Sequence, residues 1–162
     1  MTQEEKKLLF IDLSARLRYG VRIAYKENEH DIHHWTLCTL HAPHISKDGT
    51  IIDTGSDGWI EYVEYPGAGM STGSRPLHLE KMLPYLRPMS SMTEEERKYL
   101  LEELGFDEDL ENGELNDFGS YVYRSVNALP LFDWLNEHHL DWRGLIPMGL
   151  ALEAKEGMYK TE

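Results

Sequence analysis

The chain has 162 residues, of which 41% are apolar and 10% aromatic, and its sixteen basic and twenty-nine acidic residues give a net charge of -13. This composition is too apolar for a disordered chain, and no apolar run approaches the roughly twenty residues that a membrane-spanning helix needs. The acidic excess disfavours direct binding of DNA or RNA, because such binding depends on clustered Lys and Arg. The lone cysteine, Cys38, excludes an intramolecular disulfide and a Cys-x-x-Cys metal site.

The first residues predict a helix over 3–17. Thr2 and Glu5 form a capping box, in which each side chain accepts a hydrogen bond from the backbone amide of the other. Apolar residues then recur at spacings of three and four, and Gly20 is placed to end the helix in a left-handed conformation. This acidic start lacks the basic and apolar pattern of an export signal, which predicts a cytoplasmic protein.

The apolar residues that follow alternate with a period of two, which predicts β-strands. Residues 21–25 and 35–40 are predicted to form one antiparallel pair, and residues 50–52 and 59–65 a second. Residues 66–74, with three glycines, are predicted to form a flexible loop. We then expect a last short strand at 75–82, stopped by Pro84.

Signals for two helices occur in the C-terminal half. Thr93 and Glu96 form a second capping box ahead of a leucine-rich stripe that Gly105 is expected to end. Pro130 suits the first position of a helix over 131–138. We expect Asp141 to cap a short turn over 142–146, whereas residues 120–126 fit a strand or a helix equally well.

These elements predict an α+β fold class. A small, twisted antiparallel sheet of four or five strands would carry an N-terminal helix and a helical C-terminal half. Closure of the sheet into a partly closed barrel is the alternative. A chain of this length needs only one core, so we expect a single domain, 1–162, that is sheet-rich over 19–82 and helical over 84–154.

Five of the eight histidines lie within fifteen residues: His30, His33, His34, His41 and His44. Imidazole is a common transition-metal ligand, so this density suggests a zinc-type site. The spacing is unfavourable, because neighbours on a strand point to opposite faces. Exposed histidines on a hairpin are the simpler interpretation.

Other patterns give no catalytic residue and no cofactor. His138 and His139 precede Asp141, but adjacent helical residues diverge, so structural roles at a helix end are favoured. Residues 53–64 match several positions of the EF-hand calcium loop, yet their flanks predict strands, which favours a hairpin turn. P-loop, dinucleotide-binding, HExxH and nucleophile-elbow motifs do not occur in the sequence.

Binding to another protein is a further possible function. No basic residue lies between Lys98 and Arg124, and this acidic stretch suits a partner with a basic surface, or simply keeps the protein soluble. Exposed aromatic residues are common anchors of interfaces, although the tryptophans of a small domain also fit its core. The candidate interaction residues are Trp35, Trp59, Glu108, Asp109 and Glu111.

Two tracts carry a resemblance to a known family: PYLRPMSSMTEEE at 84–96 and FDWLNEHHLDWRGLIPMGLALEA at 132–154. Through these tracts, about a quarter of its length, the chain resembles a family of phage- and prophage-associated proteins of gut Bacteroidetes. The resemblance implies a mobile-element origin and a bacterial cytoplasm, and it brings no catalytic residue with it. Pro147 departs from the family pattern, in which the last helix continues, and this leaves the length of that helix in doubt.

Three functions follow as hypotheses. The first is an acidic, non-enzymatic phage or prophage accessory protein that binds another protein, one with a basic surface. The second is a metal-dependent hydrolase that uses the histidines of 30–44. The third is a small barrel that binds nucleic acid despite its charge.

Overall fold

The fold is given by a computed structural model, which describes residues 1–41, 59–64, 72–104 and 128–159. The chain forms two compact units. Unit 1 comprises Met1–Tyr85 and Leu145–Leu152, and unit 2 comprises Leu86–Gly144 and Glu153–Glu162. The single domain expected from the sequence stays a prediction. None of the described helices is both long and apolar enough to cross a membrane.

Unit 1 begins with helix α1, Gln3–Arg16, as the sequence predicts. Both hydrogen bonds of the capping box form: Glu5 N donates to Thr2 Oγ1 over 3.2 Å, and Thr2 N donates to the Glu5 carboxylate over 2.6 Å. A 3-10 turn, Leu17–Tyr19, follows, and Gly20 then takes a left-handed φ of 70°. The prediction of this helix and of its glycine stop is confirmed.

The sheet has the order β4-β3-β2-β1-β5-β6, so it is open and the barrel-like alternative is wrong. Neighbouring strands pair antiparallel from β4 through to β5. The predicted α+β class is confirmed. The strands are β1 Arg22–Lys26, β2 Ile32–His41, β3 Trp59–Glu64, β4 Thr72–Pro76, β5 Met82–Leu86 and the two-residue β6 Leu152–Glu153.

The core of unit 1 lies between α1 and one face of the sheet. Leu9 and Leu13 of α1 pack with the alternating residues of the strands, among them Ile23, Trp35 and Ile60, all nearly or fully inaccessible to solvent. At the centre, Trp35 stacks between two tyrosines, with ring centroids 4.3 Å from Tyr25 and 3.9 Å from Tyr62. The period-two pattern in the sequence therefore marks the buried face of the sheet.

Two predicted boundaries in this region are wrong. Thr72 to Ser74, assigned to the flexible loop 66–74, lie in strand β4. The strand expected over 75–82 is broken by a 3-10 turn at Leu79–Lys81, and β5 then runs through Pro84, which pairs with Ile23. Proline is tolerated where a strand does not need its N–H, and the neighbour of β5 on its other side is only two residues long. The strand predicted at 50–52 lies outside the described residues.

Unit 2 contains two described helices, α2 Glu94–Glu102 and α3 Ala128–Glu137. The predicted capping box of Thr93 and Glu96 forms. Helix α3 begins three residues before the predicted position 131, and Pro130 is still in its first turn, where an N–H has no partner within the helix. The helices share a core of leucines: Leu100, Leu104, Leu131, Leu135 and Leu140.

The chain after α3 forms turns and no further helix among the described residues. Turns lie at residues 142–143 and 145–149, near the short turn expected over 142–146, and Gly144 N donates to Asp141 O over 3.3 Å. His139 has a φ of 53°, which is rare for a residue with a side chain and ends the helical path. Residues 105–127, including the undecided segment 120–126, are not among those that the structure describes.

Candidate functional site

The described histidines of unit 1 do not converge. On β2, His33 Nε2 lies 3.2 Å from Asp31 Oδ1, with its ring stacked on Trp35. His34 is the next residue along the strand, and its Nδ1 lies 3.0 Å from the Tyr85 hydroxyl on β5. His30 is exposed in the turn before β2, where its backbone amide donates to Asn28 Oδ1.

A metal site in this region is therefore not assembled from His30, His33 and His34 alone. The described part of the chain holds no group of three or more His, Cys, Asp or Glu side chains placed to bind a metal ion. The side chain of His41 and all of His44 lie outside that part, so the metal hypothesis stays a prediction. The calcium alternative fails, because β3 occupies 59–64, where an EF-hand loop needs to lead into a helix.

Among the predicted interaction residues, the assignment of Trp35 to an interface is wrong. Its side chain is 1% exposed, because it lies between two tyrosine rings in the core of unit 1, so it cannot contact a partner protein. The side chain of Trp59 and residues Glu108, Asp109 and Glu111 lie outside the described residues. Those four candidates remain predictions.

An aromatic surface that the sequence did not single out lies on unit 2. Tyr99 of α2 stacks on Trp134 of α3, with ring centroids 5.8 Å apart and an angle of 21° between the rings. Trp134 stacks in turn on His138, at 4.0 Å and 24°. We call these three side chains the aromatic ladder. Tyr99 is 44% exposed, so one end of the ladder is open to solvent.

The ladder is held in place by its helices. Trp134 packs against the leucine core of unit 2, and the His138 Nδ1–H donates to the Trp134 carbonyl over 2.9 Å, one helical turn earlier. The signal in the sequence was the spacing of four between Trp134 and His138, which places both on one side of a helix. Tyr99 comes from a distant segment, and no spacing reveals its contact with Trp134.

Carboxylates surround the ladder. Glu95 and Glu102 of α2, and its C-cap residue Glu103, lie three or four residues from Tyr99, which places them around it on the helix surface, and all three are exposed. Glu137 lies three residues after Trp134 and is also exposed. We call these four glutamates the acidic rim. Lys98 lies 3.8 Å from Glu102, but both side chains are largely exposed, so this pair neutralises little.

Beside the ladder, Arg87 and Glu96 form a bidentate ion pair. Arg87 Nη1 and Nη2 donate to the two oxygens of Glu96 over 2.7 and 2.8 Å, and Nη2 also donates to the Ser91 carbonyl. The hydrogen bond from Arg87 is the main cause that holds the pKa of Glu96 below its ordinary value. The backbone amide of Thr93 and the charge of His138 lower this pKa further. The same hydrogen bond raises the pKa of Arg87.

The Arg87–Glu96 pair forms one wall of a cleft of about 610 Å³ that lies entirely within unit 2. The C-terminal segment 153–159 contributes another part of the lining. This segment is fixed at both ends: Ala154 N donates to Leu86 O over 2.7 Å, and the Tyr159 ring stacks on His139 at 3.6 Å. The volume of the cleft is within the range of pockets that take small molecules or single side chains.

Comparisons with protein-family models, with curated proteins and with solved structures gave no match to this chain. The arrangement in unit 2 is therefore interpreted from its own chemistry. It contains an exposed aromatic ladder, an acidic rim and an adjoining cleft.

Proposed function

We propose that this protein acts by binding another protein, and that the partner presents a basic segment to the aromatic ladder of unit 2. The observation that carries this proposal is the solvent-exposed Tyr99, stacked on Trp134 within a rim of four exposed glutamates. Tyrosine and tryptophan are enriched among the residues that dominate binding energy at interfaces.

The charge around the ladder selects the partner. A Lys or Arg side chain placed over an aromatic face is attracted by the electrons of the ring, and a nearby carboxylate adds to that attraction. The acidic rim therefore favours a basic partner and repels an acidic one. The net charge of -13 extends the same preference to long range, because it accelerates encounters with positively charged proteins.

The proposed function keeps the protein binding of the first hypothesis drawn from the sequence, and the phage or prophage origin stays a prediction. The proposed binding surface differs from the one predicted from the sequence. The sequence placed the contacts at Trp35, Trp59 and the acidic residues after α2, whereas the geometry of the described residues favours α2 and α3. The acidic stretch 107–117 begins five residues after the end of α2 and adds negative charge to the same part of the chain.

The test is capture of a partner by matched variants. The full chain, Tyr99→Ser and Ile32→Ser are immobilised and incubated with a bacterial lysate, and retained proteins are identified by mass spectrometry. Tyr99 and Ile32 are both 44% exposed, but Ile32 belongs to unit 1, so the second variant controls for loss of exposed apolar surface. We expect a basic protein that the wild type and Ile32→Ser retain and that Tyr99→Ser loses.

The captured protein is then purified and titrated against the same variants by calorimetry. We expect Tyr99→Ser to weaken binding by about fivefold or more, which corresponds to an interface residue worth at least about 1 kcal/mol. Equal affinities of the two variants, capture of acidic proteins alone, or no specific capture would each contradict the proposal.

A further inference from the structure

The described lining of the cleft beside the aromatic ladder carries more negative than positive charge. Glu96 is fully engaged by Arg87, so neither of these two charges is available to a ligand. The remaining charged residues of the lining are Glu153, Lys155 and Glu156, all exposed. Among the described residues, neither Glu153 nor Glu156 has an ion-pair partner, so this part of the lining contributes two carboxylates and one ammonium group.

The rest of the lining is suited to a flat cation on an apolar stem. Pro88, Ala154 and Met158 offer apolar surface, and Tyr159 contributes an aromatic ring that His139 holds in position from one side. Long basic side chains bury their methylene groups against apolar surface and keep the charged head near solvent. The planar guanidinium group also stacks on aromatic rings and pairs with carboxylates through two hydrogen bonds, which an ammonium group cannot do.

We propose that this cleft receives an arginine side chain of the partner protein, with its guanidinium group between Glu153, Glu156 and the Tyr159 ring. The proposal rests on the proposed function, because it names the residue of the basic segment that anchors next to the ladder. Continuity between the two places runs along α2, which carries Glu96 in the lining of the cleft and Tyr99, three residues later, in the ladder.

The experiment uses a defined probe and the full chain. N-acetyl-L-arginine amide is titrated at millimolar concentration into the isotope-labelled protein, and the backbone amide shifts are followed by NMR. We expect shifts at Ser91, Met158 and Tyr159, weaker shifts with N-acetyl-L-lysine amide, and none with N-acetyl-L-citrulline amide, which has the same shape without the charge. Equal shifts with citrulline amide, or shifts confined to residues outside the cleft, would overturn the proposal.

Two charge-matched variants complete the test. We expect Glu153→Gln/Glu156→Gln to weaken binding of arginine amide by about fivefold, because each exposed ion pair is worth up to about 1 kcal/mol. Glu4→Gln/Glu29→Gln removes the same charge from exposed positions of unit 1 and is expected to leave binding unchanged. Equal weakening by both variants would mean that only net charge matters, which would also overturn the proposal.

The two experiments separate arginine binding in the cleft from partner binding on the ladder. If the captured partner depends on Tyr99 while arginine amide leaves the cleft unperturbed, the ladder binds the partner and the cleft does not take arginine. If arginine amide binds the cleft but no protein is captured through Tyr99, the cleft recognises the side chain and the proposed docking on the ladder is wrong.

Discussion

Gly73 on strand β4 is required by a single neighbouring side chain. It pairs with Tyr62 across the strands, and a Cβ atom at Gly73 would overlap the Tyr62 ring and hydroxyl. The ring cannot move freely, because Tyr62 is buried and stacked on Trp35. We expect Gly73→Ala to lower the free energy of unfolding by about 1–3 kcal/mol, the usual cost of overpacking, as measured by urea denaturation. In a Tyr62→Leu background the same change is expected to cost less, and equal costs in both backgrounds would refute this explanation.

Asp12 and Arg16 form an ion pair within the core of unit 1. Arg16 Nε and Nη2 donate to the two carboxylate oxygens of Asp12 over 2.8 and 3.1 Å, and both side chains are completely buried. Substitution of Arg16 removes both of these charge-assisted hydrogen bonds from a carboxylate that is buried away from water. We expect Arg16→Met to lower the free energy of unfolding by about 3–5 kcal/mol.

The double variant Asp12→Leu/Arg16→Met serves as the control for that prediction. It removes both charges and replaces them with apolar side chains, so we expect it to recover most of the stability in thermal and urea denaturation. A double variant as unstable as Arg16→Met alone would show that shape at these positions matters more than the uncompensated charge.

Among the helices, α2 is stabilised by a contact that α1 lacks, although both begin with a capping box. Glu5 and Glu96 occupy the same position in the two boxes, but only Glu96 also binds Arg87. We expect Glu96→Gln to lower the free energy of unfolding more than Glu5→Gln does, as measured by urea denaturation at neutral pH. Equal losses would mean that the Arg87 pair adds nothing to the cap.

The same contact predicts a dependence on pH. The pKa of Glu96 is lowered below its ordinary value of 4.5 in the folded protein, chiefly by the Arg87 hydrogen bond. Its contribution to stability is therefore complete above the unfolded pKa and is lost as the pH falls through the folded pKa. We expect the difference in unfolding free energy between wild type and Glu96→Gln to be constant near neutral pH and to shrink in acid. A difference that grows as the pH falls would contradict this sign.

The elements were predictable where local chemistry decides them. Helices α1 and α2 follow from their capping boxes and leucine spacing, and β1 and β2 from the period of two. The errors occur where a distant segment decides the outcome. Pro84 was taken as a stop, yet β5 continues through it because β1 supplies the pairing. The error at α3 has a local cause instead: the helix starts before Pro130 because its first turn does not need the missing N–H.

At the scale of the whole molecule, the site was less predictable than the fold. The sequence could suggest a basic partner, because net charge can be counted, and that partner stays a prediction. It could not indicate that Tyr99 and Trp134, thirty-five residues apart, stack together, or that Arg87 and segment 153–159 line one cleft. It also could not decide that Trp35 is buried, since a tryptophan on a strand fits a core face as well as an interface.

The net charge of the molecule also gives a prediction about nucleic acid. Binding to a phosphate backbone is driven by release of counterions from clustered Lys and Arg, and this chain has 29 acidic against 16 basic residues. At an ionic strength of about 0.01 M the Debye length is about 30 Å, so any attraction between protein and nucleic acid would be at its strongest. We expect no retardation of single- or double-stranded DNA or RNA in an electrophoretic mobility assay under these conditions, with a basic DNA-binding protein as the positive control.

A shift that appears at low salt and disappears as salt is added would show a local basic surface strong enough to overcome the net charge. That result would favour the nucleic-acid hypothesis over docking of a basic protein on the acidic rim.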